Sequence, residues 1–314
     1  MTPQDTHDLR TIMVQSLIDA ADSGVNIAVV VSDSTSTAKI APFAERFPDR
    51  LINVGIAEQN LVGVATGLSL GGYVAVTANA APFLVARANE QVKNDVCYSQ
   101  TNVKLVGLNA GVCYGALAST HHAIDDVSIM RGLGNILILA PADPVETRQI
   151  FEFALEYVGP VYIRMDSAKF PILHSEDYQF RLGKASVLRE GDDMTIFALG
   201  SVVHEAYEAA RKLEGMSIDA EVVNVSSIRP VDKDKIIESV RRTGKVITVE
   251  EHALHGGLGS LVCEIIAEER LSAKIVRLGI TEGLFSKAGP RAQIRAYYKI
   301  DKNGIVDTAR TLMT

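Results

Sequence analysis

Cysteine is scarce in this chain of 314 residues. Only Cys97, Cys113 and Cys263 occur, and they are scattered and without the spacing of metal ligands. An odd, dispersed set of this kind fits small buried thiols in a reducing compartment better than a disulfide framework. We therefore expect a cytoplasmic protein that has no metal site of its own.

Long apolar runs and basic runs are missing as well. No uninterrupted apolar stretch reaches the roughly 20 residues of a membrane span, and the N-terminus, MTPQDTHDLR, has no apolar signal core. The net charge is −7, and no cluster of Lys and Arg with interleaved aromatic residues occurs. Because phosphate backbones are bound by clustered cations, we expect neither nucleic acid nor a membrane as the partner.

The sequence does contain a repeated alternation of short β-branched runs with longer amphipathic stretches. Runs rich in Val and Ile at consecutive positions are typical of strands buried on both faces, and hence of a parallel sheet covered by helices. The candidate strands are Asn26–Ser32, Leu51–Val54, Tyr73–Thr77, Val103–Leu108, Ile136–Ala140, Val161–Met165, Met194–Leu199, Ala220–Val225, Lys245–Val249 and Lys274–Leu278. The candidate helices of the first part are Asp5–Asp22, Ala57–Leu70, Leu84–Tyr98 and Val145–Tyr157.

An irregular polar segment over residues 166–193 interrupts this alternation. The chain is long enough for about two domains, each with its own core. We predict an α/β fold of two domains, each a mainly parallel sheet covered by helices. The first domain is expected over residues 1–175, a linker over 176–192, and the second domain over 193–314. Ligands of open parallel sheets bind beyond the carboxyl ends of the strands, so residues that follow strands are the first candidates for a site.

Glu58 follows one of these strands, in the first turn of the helix within GIAEQNLVGVATGLSLGG. Small and apolar residues surround this helix on nearly every side, which predicts burial, with a subunit interface as the expected place. A carboxylate in such a place must be protonated, paired or bound to a ligand. Interaction with the helix dipole is an equally good explanation of Glu58 taken alone.

The run INVGIAEQNLVGVATGLSLGG resembles the segment with which transketolases, 1-deoxyxylulose-5-phosphate synthases and 2-oxoacid dehydrogenase β-chains hold the aminopyrimidine of thiamine diphosphate. The resemblance implies that Glu58 hydrogen-bonds a pyrimidine nitrogen. Its carboxyl proton would stabilise the imino tautomer with which the cofactor activates itself, so Glu58 is an expected catalytic residue. The resemblance covers nearly the whole chain and is closest to short transketolase-like chains.

Further cofactor contacts follow from the same resemblance. Phe83, in PFLVARANEQVKNDVCY, matches the aromatic residue that packs on the pyrimidine, and Arg87 lies on the same predicted helix. Asp33, just after the first strand, stands where the family has an acidic residue near the cofactor. A core position for Phe83 and a turn or cap role for Asp33 are the alternatives.

The segment CYGALASTHHAIDD resembles the active-site loop of the family. His121 would line the substrate channel and contact the oxygens of the donor sugar, so it is the second expected catalytic residue. The following residue, His122, stands where glutamine is common. Transketolases usually carry Glu-Asp-Gly upstream, and their aspartate reads a sugar 2-hydroxyl. Here Leu117 takes that place, flanked by alanines, which predicts a changed choice of substrate.

Arg164, in PVYIRMDS, matches the arginine that holds the sugar phosphate in the family. The planar fork of guanidinium suits a phosphate, although a surface pair with Asp166 is the alternative. In the second domain, a glycine-rich turn at Gly256–Ser260 precedes a helix and is a candidate anion site. The resemblance implies that this domain supports assembly, so no catalytic role is expected of it.

The Gly-Asp-Gly segment with which thiamine enzymes bind Mg²⁺ and diphosphate does not occur in the sequence. The resemblance therefore implies half of a split transketolase, with thiamine diphosphate and Mg²⁺ bound together with an N-terminal subunit that carries Gly-Asp-Gly. We expect self-association through both domains, as α2β2, and sugar phosphates as substrates. The alternatives are a 2-oxoacid dehydrogenase β-subunit, a deoxyxylulose-phosphate-synthase-like enzyme, and an inactive regulatory relative.

Overall fold

In the computed structural model, which describes residues 6–283 and 286–314, the chain forms two compact units. The first comprises Met1–Ala110 and Ile129–Phe180, and the second comprises Gly111–Ser128 and Arg181–Thr314. Each unit contains a mainly parallel sheet with flanking helices, which confirms the predicted α/β class. Among the described residues, every helix is too short or too polar to traverse a lipid bilayer.

The strands of the first unit follow the Val- and Ile-rich runs of the sequence. They are Thr6–Asp8 (β1), Ile27–Val31 (β2), Leu51–Asn53 (β3), Val74–Ala80 (β4), Val103–Leu108 (β5), Leu137–Leu139 (β6), Val161–Arg164 (β7) and Lys169–Pro171 (β8). Strands β6, β7, β5, β4, β2 and β3 lie side by side in that order and pair in parallel. All residues of β2 and β5 are buried, as expected of strands with helices on both faces.

The α-helices before residue 180 are Leu9–Asp22 (α1), Thr35–Ala38 (α2), Ala41–Arg46 (α3), Glu58–Leu70 (α4), Asn89–Gln91 (α5), Asp126–Leu133 (α6) and Pro144–Glu156 (α7). Side-chain caps fix two of these starts. Asp8 accepts a hydrogen bond from the backbone of Arg10 at the start of α1, and Asp143 accepts one from Glu146 at the start of α7. The predicted first residue of the first helix, Asp5, lies outside the described residues.

One predicted helix differs from the observed structure, and a second has an exposed face. The stretch predicted as one helix, Leu84–Tyr98, is broken into π-helical turns at Phe83–Arg87 and Val92–Tyr98 on either side of α5. Helix α4 is buried on one face only, since Gly63, Gly67 and Leu70 are exposed in the single chain. Burial of α4 is expected at a subunit interface, so the exposed face of a single chain leaves that expectation a prediction.

The second unit has its own sheet. Its strands are Ser186–Arg189 (β9), Met194–Ala198 (β10), Ala220–Asn224 (β11), Lys245–Ala253 (β13) and Lys274–Ile280 (β14), and Ser227–Arg229 (β12) is not part of it. Strands β14, β13, β10, β11 and β9 lie in that order, and only the pairing of β9 with β11 is antiparallel. The segment predicted as an irregular connector thus contains β8 and β9.

The helices of the second unit are Val203–Glu214 (α8), Lys233–Thr243 (α9), Leu258–Glu268 (α10), Arg291–Tyr297 (α11) and Lys302–Met313 (α12), with short 3-10 turns at Gly115–Thr120 and Gly200–Val202. In helix α9, identifiable residues set both the first and the last turn. Asp232 caps its first turn by accepting from Lys235 N, and Gly244, at φ +62°, ends it in the left-handed conformation.

Candidate active site

Glu58 is the first residue of α4, shortly after β3 ends, and it is only 3% exposed. Ser32, which follows β2, and Asn79, near the end of β4, approach the same carboxylate oxygen. Ser32 Oγ lies 3.4 Å and Asn79 Nδ2 lies 3.5 Å from Glu58 Oε1. Ser32 Oγ also lies 2.7 Å from Asn79 Oδ1, to which it donates. The ends of two neighbouring strands therefore supply polar groups that surround a buried carboxylate.

Arg87 contacts the other oxygen of the same carboxylate. Its Nη1 donates to Glu58 Oε2 at 2.5 Å, and its guanidinium carbon lies 4.6 Å from the centroid of the Phe83 ring. The side chain of Arg87 is 47% exposed. The structure thus brings together three of the residues that the sequence assigns to the cofactor: a buried carboxylate, an aromatic ring and a planar cation that touches both.

Ser32 and Asn79 belong to this cluster but are not singled out by the sequence analysis. Both are polar residues at the carboxyl end of an otherwise apolar strand, which is the signal that could have identified them. Asn79 lies beyond the predicted end of its strand at Thr77, because β4 continues to Ala80. Because the predicted strand ends at Thr77, Asn79 is not recognised as a polar residue at the end of a strand.

Asp33 and Arg164 lie in the same unit as Glu58. Asp33 is exposed and has a φ of +56°, and its backbone N–H donates to Asn53 Oδ1 at 3.0 Å. This conformation is typical of a turn, which is the alternative explanation of Asp33. Arg164 is the last residue of β7 and only 4% exposed. The roles assigned to them in cofactor and phosphate binding stay predictions.

His121 lies in the second unit, at the end of the 3-10 turn Gly115–Thr120. Its Nδ1 is 2.9 Å from Thr120 Oγ1, and its ring meets the Tyr114 ring edge to face at 5.5 Å between centroids. Leu117, in the middle of the turn, is 52% exposed. The loop therefore presents a half-buried imidazole and an apolar side chain together.

His122, the neighbour of His121, is buried and uses both of its ring nitrogens. Nδ1 lies 2.7 Å from Ser286 Oγ, and Nε2 lies 3.1 Å from the carbonyl oxygen of Gly115. Burial lowers the pKa of His122, so the ring is neutral near pH 7. This histidine links two ends of the turn that carries Leu117 and His121.

Glu251, on β13, anchors the start of the same loop. It is fully buried, and its Oε1 accepts the backbone N–H of Val112 at 3.0 Å. Arg291 and Arg295 of α11 donate to Glu251 Oε2 at 2.7 and 2.6 Å, and Ser201 Oγ donates to it at 2.9 Å. Burial acts to raise the pKa of Glu251, but the two guanidinium groups outweigh it and hold the pKa well below its usual range.

The glycine-rich turn at Gly256–Ser260 already holds an anion from its own chain. The carboxylate of Glu250 accepts the backbone N–H groups of Leu258 at 2.7 Å and Gly259 at 2.8 Å. A β-carbon on Gly257 would collide with that carboxylate, which explains the glycine at this position. The expectation of a ligand anion here is wrong, because Glu250 fills the start of α10.

The predicted residues thus fall into two groups, each within one unit. Asp33, Glu58, Phe83, Arg87 and Arg164 belong to the first unit, and Leu117 and His121 belong to the second. Over the described ranges 6–283 and 286–314, no group of three or more His, Cys, Asp and Glu side chains is arranged to hold a metal ion.

Comparisons with known proteins identify the family of the chain. Residues 5–171 match the model of the transketolase pyrimidine-binding domain, and residues 183–305 match that of the transketolase C-terminal domain. The chain belongs to the transketolase family. Its relatives confirm the prediction of a split, transketolase-type transferase.

A subunit of the apulose-4-phosphate transketolase of Actinobacillus succinogenes is 55% identical over 304 residues, covering 97% of this chain and 98% of the relative. The corresponding apulose-4-phosphate transketolase subunit of Phocaeicola vulgatus is 38% identical, covering 96% of both chains. A solved structure described as "Split gene transketolase, inactive beta4 tetramer" superposes with a TM-score of 0.88 at 36% identity, covering 98% of this chain and 99% of its own. These matches do not favour the alternatives left open by the sequence.

The buried cluster around Glu251 leads to a prediction about stability. Glu251→Gln removes the charge that balances Arg291 and Arg295, so it should lower the free energy of unfolding by about 3–5 kcal/mol in urea titrations near pH 7. The folded carboxyl has a lowered pKa, so its contribution is present above the ordinary carboxyl pKa and is lost as the pH falls. The difference between wild type and variant should therefore shrink below a pH of about 4.

The matched control is Glu208→Gln, which breaks a surface pair with Arg211 at 3.1 Å. Surface pairs contribute little, so this change should cost less than about 1 kcal/mol. Equal costs for the two substitutions, or a Glu251 effect that does not vary with pH, would show that the buried ion pairs do not fix the loop.

Proposed function

We propose that the chain is the subunit of a two-chain transketolase that binds the pyrimidine of thiamine diphosphate and transfers a two-carbon ketol unit between phosphorylated sugars. The observation that carries this proposal is the buried carboxylate of Glu58, joined to the ring of Phe83 through Arg87, on a chain of the transketolase family. The sequence has only three scattered cysteines, which suits the reducing cytoplasm in which we place the enzyme.

The residues at Glu58 fit a pyrimidine. The guanidinium of Arg87 is flat, and it already makes the two contacts that an aminopyrimidine needs, a hydrogen bond to Glu58 and an approach to the Phe83 ring. Because Arg87 is half-exposed, it can move aside or remain at the edge of the bound ring. Phe83 would then hold the pyrimidine face and Glu58 its ring nitrogen, with Asp33 as a further neighbour of the cofactor.

The proposed mechanism assigns a role to Glu58, His121 and Arg164. When bound, thiamine diphosphate supplies a nucleophilic carbon and an electron sink for carbon–carbon cleavage. The carboxyl group of Glu58 would hold the pyrimidine nitrogen and would supply the proton that the activation of the cofactor needs. His121 contacts the hydroxyl and carbonyl oxygens of the sugar, and Arg164 binds its phosphate.

We expect Glu58→Gln to abolish the proton transfer and to leave folding intact. Acid–base contributions of this kind amount to about two to four orders of magnitude, so kcat of the assembled enzyme should fall by that factor at saturating cofactor. Glu90→Gln, which alters an exposed glutamate close to the same cluster, should turn over like the wild type. Steady-state kinetics would contradict the assignment if Glu58→Gln kept nearly full turnover.

The proposed assembly is a heterotetramer in which an N-terminal subunit with Gly-Asp-Gly contributes the Mg²⁺ and diphosphate half of the site. Self-association is supported by the outer face of α4. Ile56, just before the helix, and Leu70, at its end, are each 76% exposed. A β-carbon placed on Gly63 or Gly67 would meet no neighbouring atom within 4 Å. Small and apolar residues on one helix face allow close approach of another chain. The solved relative, described as a β4 tetramer, is consistent with such a contact.

Titration calorimetry tests the assembly. The purified chain should give no heat of binding with thiamine diphosphate and Mg²⁺, because its sequence has no Gly-Asp-Gly segment to supply oxygen ligands to the cation. Binding and ketol transfer should both be present once a partner chain with Gly-Asp-Gly is added. Tight, Mg²⁺-dependent binding by this chain alone would rule out the division of the cofactor site between two subunits.

We further propose a branched ketose phosphate as the donor. Two relatives are named apulose-4-phosphate transketolases, and apulose is a branched ketose whose carbon next to the ketone carries no hydrogen. Cleavage beside that carbon breaks one C–C bond and turns its C–OH into a ketone with loss of the hydroxyl proton. The product has no stereogenic 2-hydroxyl for an aspartate to bind. Leu117, half-exposed between Ala116 and Ala118, gives an apolar wall that suits such a substrate.

Kinetics of the reconstituted pair test this choice. We expect kcat/KM to be at least about tenfold higher on apulose 4-phosphate than on xylulose 5-phosphate, and Leu117→Asp to reduce or invert that ratio. Leu117→Asn, of the same size as the aspartate but uncharged, separates hydrogen bonding from charge. If the wild-type pair uses xylulose 5-phosphate and ribose 5-phosphate as efficiently, recognition of the hydroxyl resides on another residue.

A further inference from the structure

The turn Gly115–Thr120 contains a strained residue. Ala118 has φ +59° and ψ −157°, a conformation that only glycine adopts readily. Its carbonyl oxygen nevertheless accepts hydrogen bonds from the backbone of both His121, at 2.9 Å, and His122, at 3.0 Å. A strained backbone persists only where surrounding contacts fix it, so the side-chain contacts of this turn decide its shape.

His122 makes the contacts that close the turn. The Gly115 carbonyl can only accept, so Nε2 of His122 carries the ring proton and donates it over 3.1 Å. Nδ1 must then accept, and the Ser286 hydroxyl donates to it over 2.7 Å. His122 and Ser286 are 3% and 6% exposed. The assigned tautomer satisfies both nitrogens, which leaves neither of them for a substrate.

A second set of contacts holds the turn independently of His122. Glu251 fixes the backbone of Val112 just before the turn, and the N–H of Gly289 donates to the Gly115 carbonyl over 3.4 Å. A β-carbon on Gly115 would lie 2.7 Å from the Gly289 carbonyl oxygen. The start of the loop is therefore anchored by the backbone, while its end, next to His121, is anchored by the His122 side chain.

We propose that His122 is a positioning residue for the transferase reaction, which it serves by bonding to Ser286 and Gly115 and so fixing the loop that presents His121 and Leu117. This inference rests on the proposed function. Glutamine also has one acceptor and one donor group at the end of its side chain. It can accept from Ser286 and donate to Gly115, as imidazole does.

The test uses His122→Gln, His122→Leu and Ser286→Ala in the chain reconstituted with its N-terminal partner. His122→Leu keeps the volume apolar but removes both hydrogen bonds, and a misplacement of catalytic groups by about 1 Å costs up to about 100-fold in rate. We expect kcat to fall by about 10- to 100-fold with KM little changed, and His122→Gln to restore most of kcat. Ser286→Ala should cost less, and the double variant His122→Leu/Ser286→Ala no more than His122→Leu alone.

A second readout does not depend on turnover. The rate at which diethyl pyrocarbonate modifies His121, followed by peptide mass spectrometry, should rise in His122→Leu and return to the wild-type rate in His122→Gln. Ser227→Ala removes another buried serine hydroxyl of the second unit, one that donates to the Pro230 carbonyl. It should leave both kcat and His121 reactivity unchanged.

The outcomes separate this inference from the proposed function. A wild-type pair inactive on both apulose 4-phosphate and xylulose 5-phosphate would overturn the proposed function, while His121 reactivity still tests the positioning. An active pair in which His122→Leu and Ser286→Ala retain full kcat and wild-type His121 reactivity would overturn the positioning role. If His122→Leu unfolds at a much lower temperature than the wild type, Ser286→Ala alone tests the positioning role, through kcat and the reactivity of His121.

Discussion

A carboxylate buried in a protein must be neutralised by a partner, and in this chain that requirement determines where the expected reactive side chains lie. Glu251 is fully buried between Arg291 and Arg295, and it also accepts hydrogen bonds from the Ser201 hydroxyl and the backbone of Val112. The loop with His121 begins at that backbone contact. Charge compensation on β13 and α11 thus fixes the place of a loop that is far away in sequence.

The buried carboxylate of Glu58 is also neutralised by a partner, but its ion pair can open. Its partner, Arg87, is half-exposed and can exchange its contact with the carboxylate for contact with water. The ion pair needs the carboxylate, whereas the proposed chemistry needs a carboxyl proton next to a pyrimidine. A fully buried arginine would make that exchange costly, because an uncompensated charge would remain in the interior. The exposure of Arg87 would let the proposed site hold together without the cofactor and still accept it.

The sequence predicts the framework well, and it singles out Glu58, Phe83 and Arg87, which the structure brings together; both results have a local reason. Strands buried on both faces have an unmistakable Val and Ile pattern, and the rule that ligands bind beyond strand ends leads directly to Glu58. The sequence predicts less where a contact joins residues that are far apart in the chain, or where a helix is irregular. The pairing of His122 with Ser286 spans 164 residues, and the π-helical turn at Phe83–Arg87 interrupts a pattern that looks like one regular helix.

The second unit illustrates what resemblance and local pattern leave out. Its glycine-rich turn has the appearance of an anion site, and only the fold shows that Glu250 supplies the anion. The resemblance implies a role in assembly for the second domain. The structure adds that Ser286, Glu251 and α11 contact the loop of His121. A carboxyl-terminal domain that touches no substrate can still govern the reaction, because the precision of a catalytic loop depends on what holds it. Substitutions in this domain are therefore expected to change turnover as well as assembly.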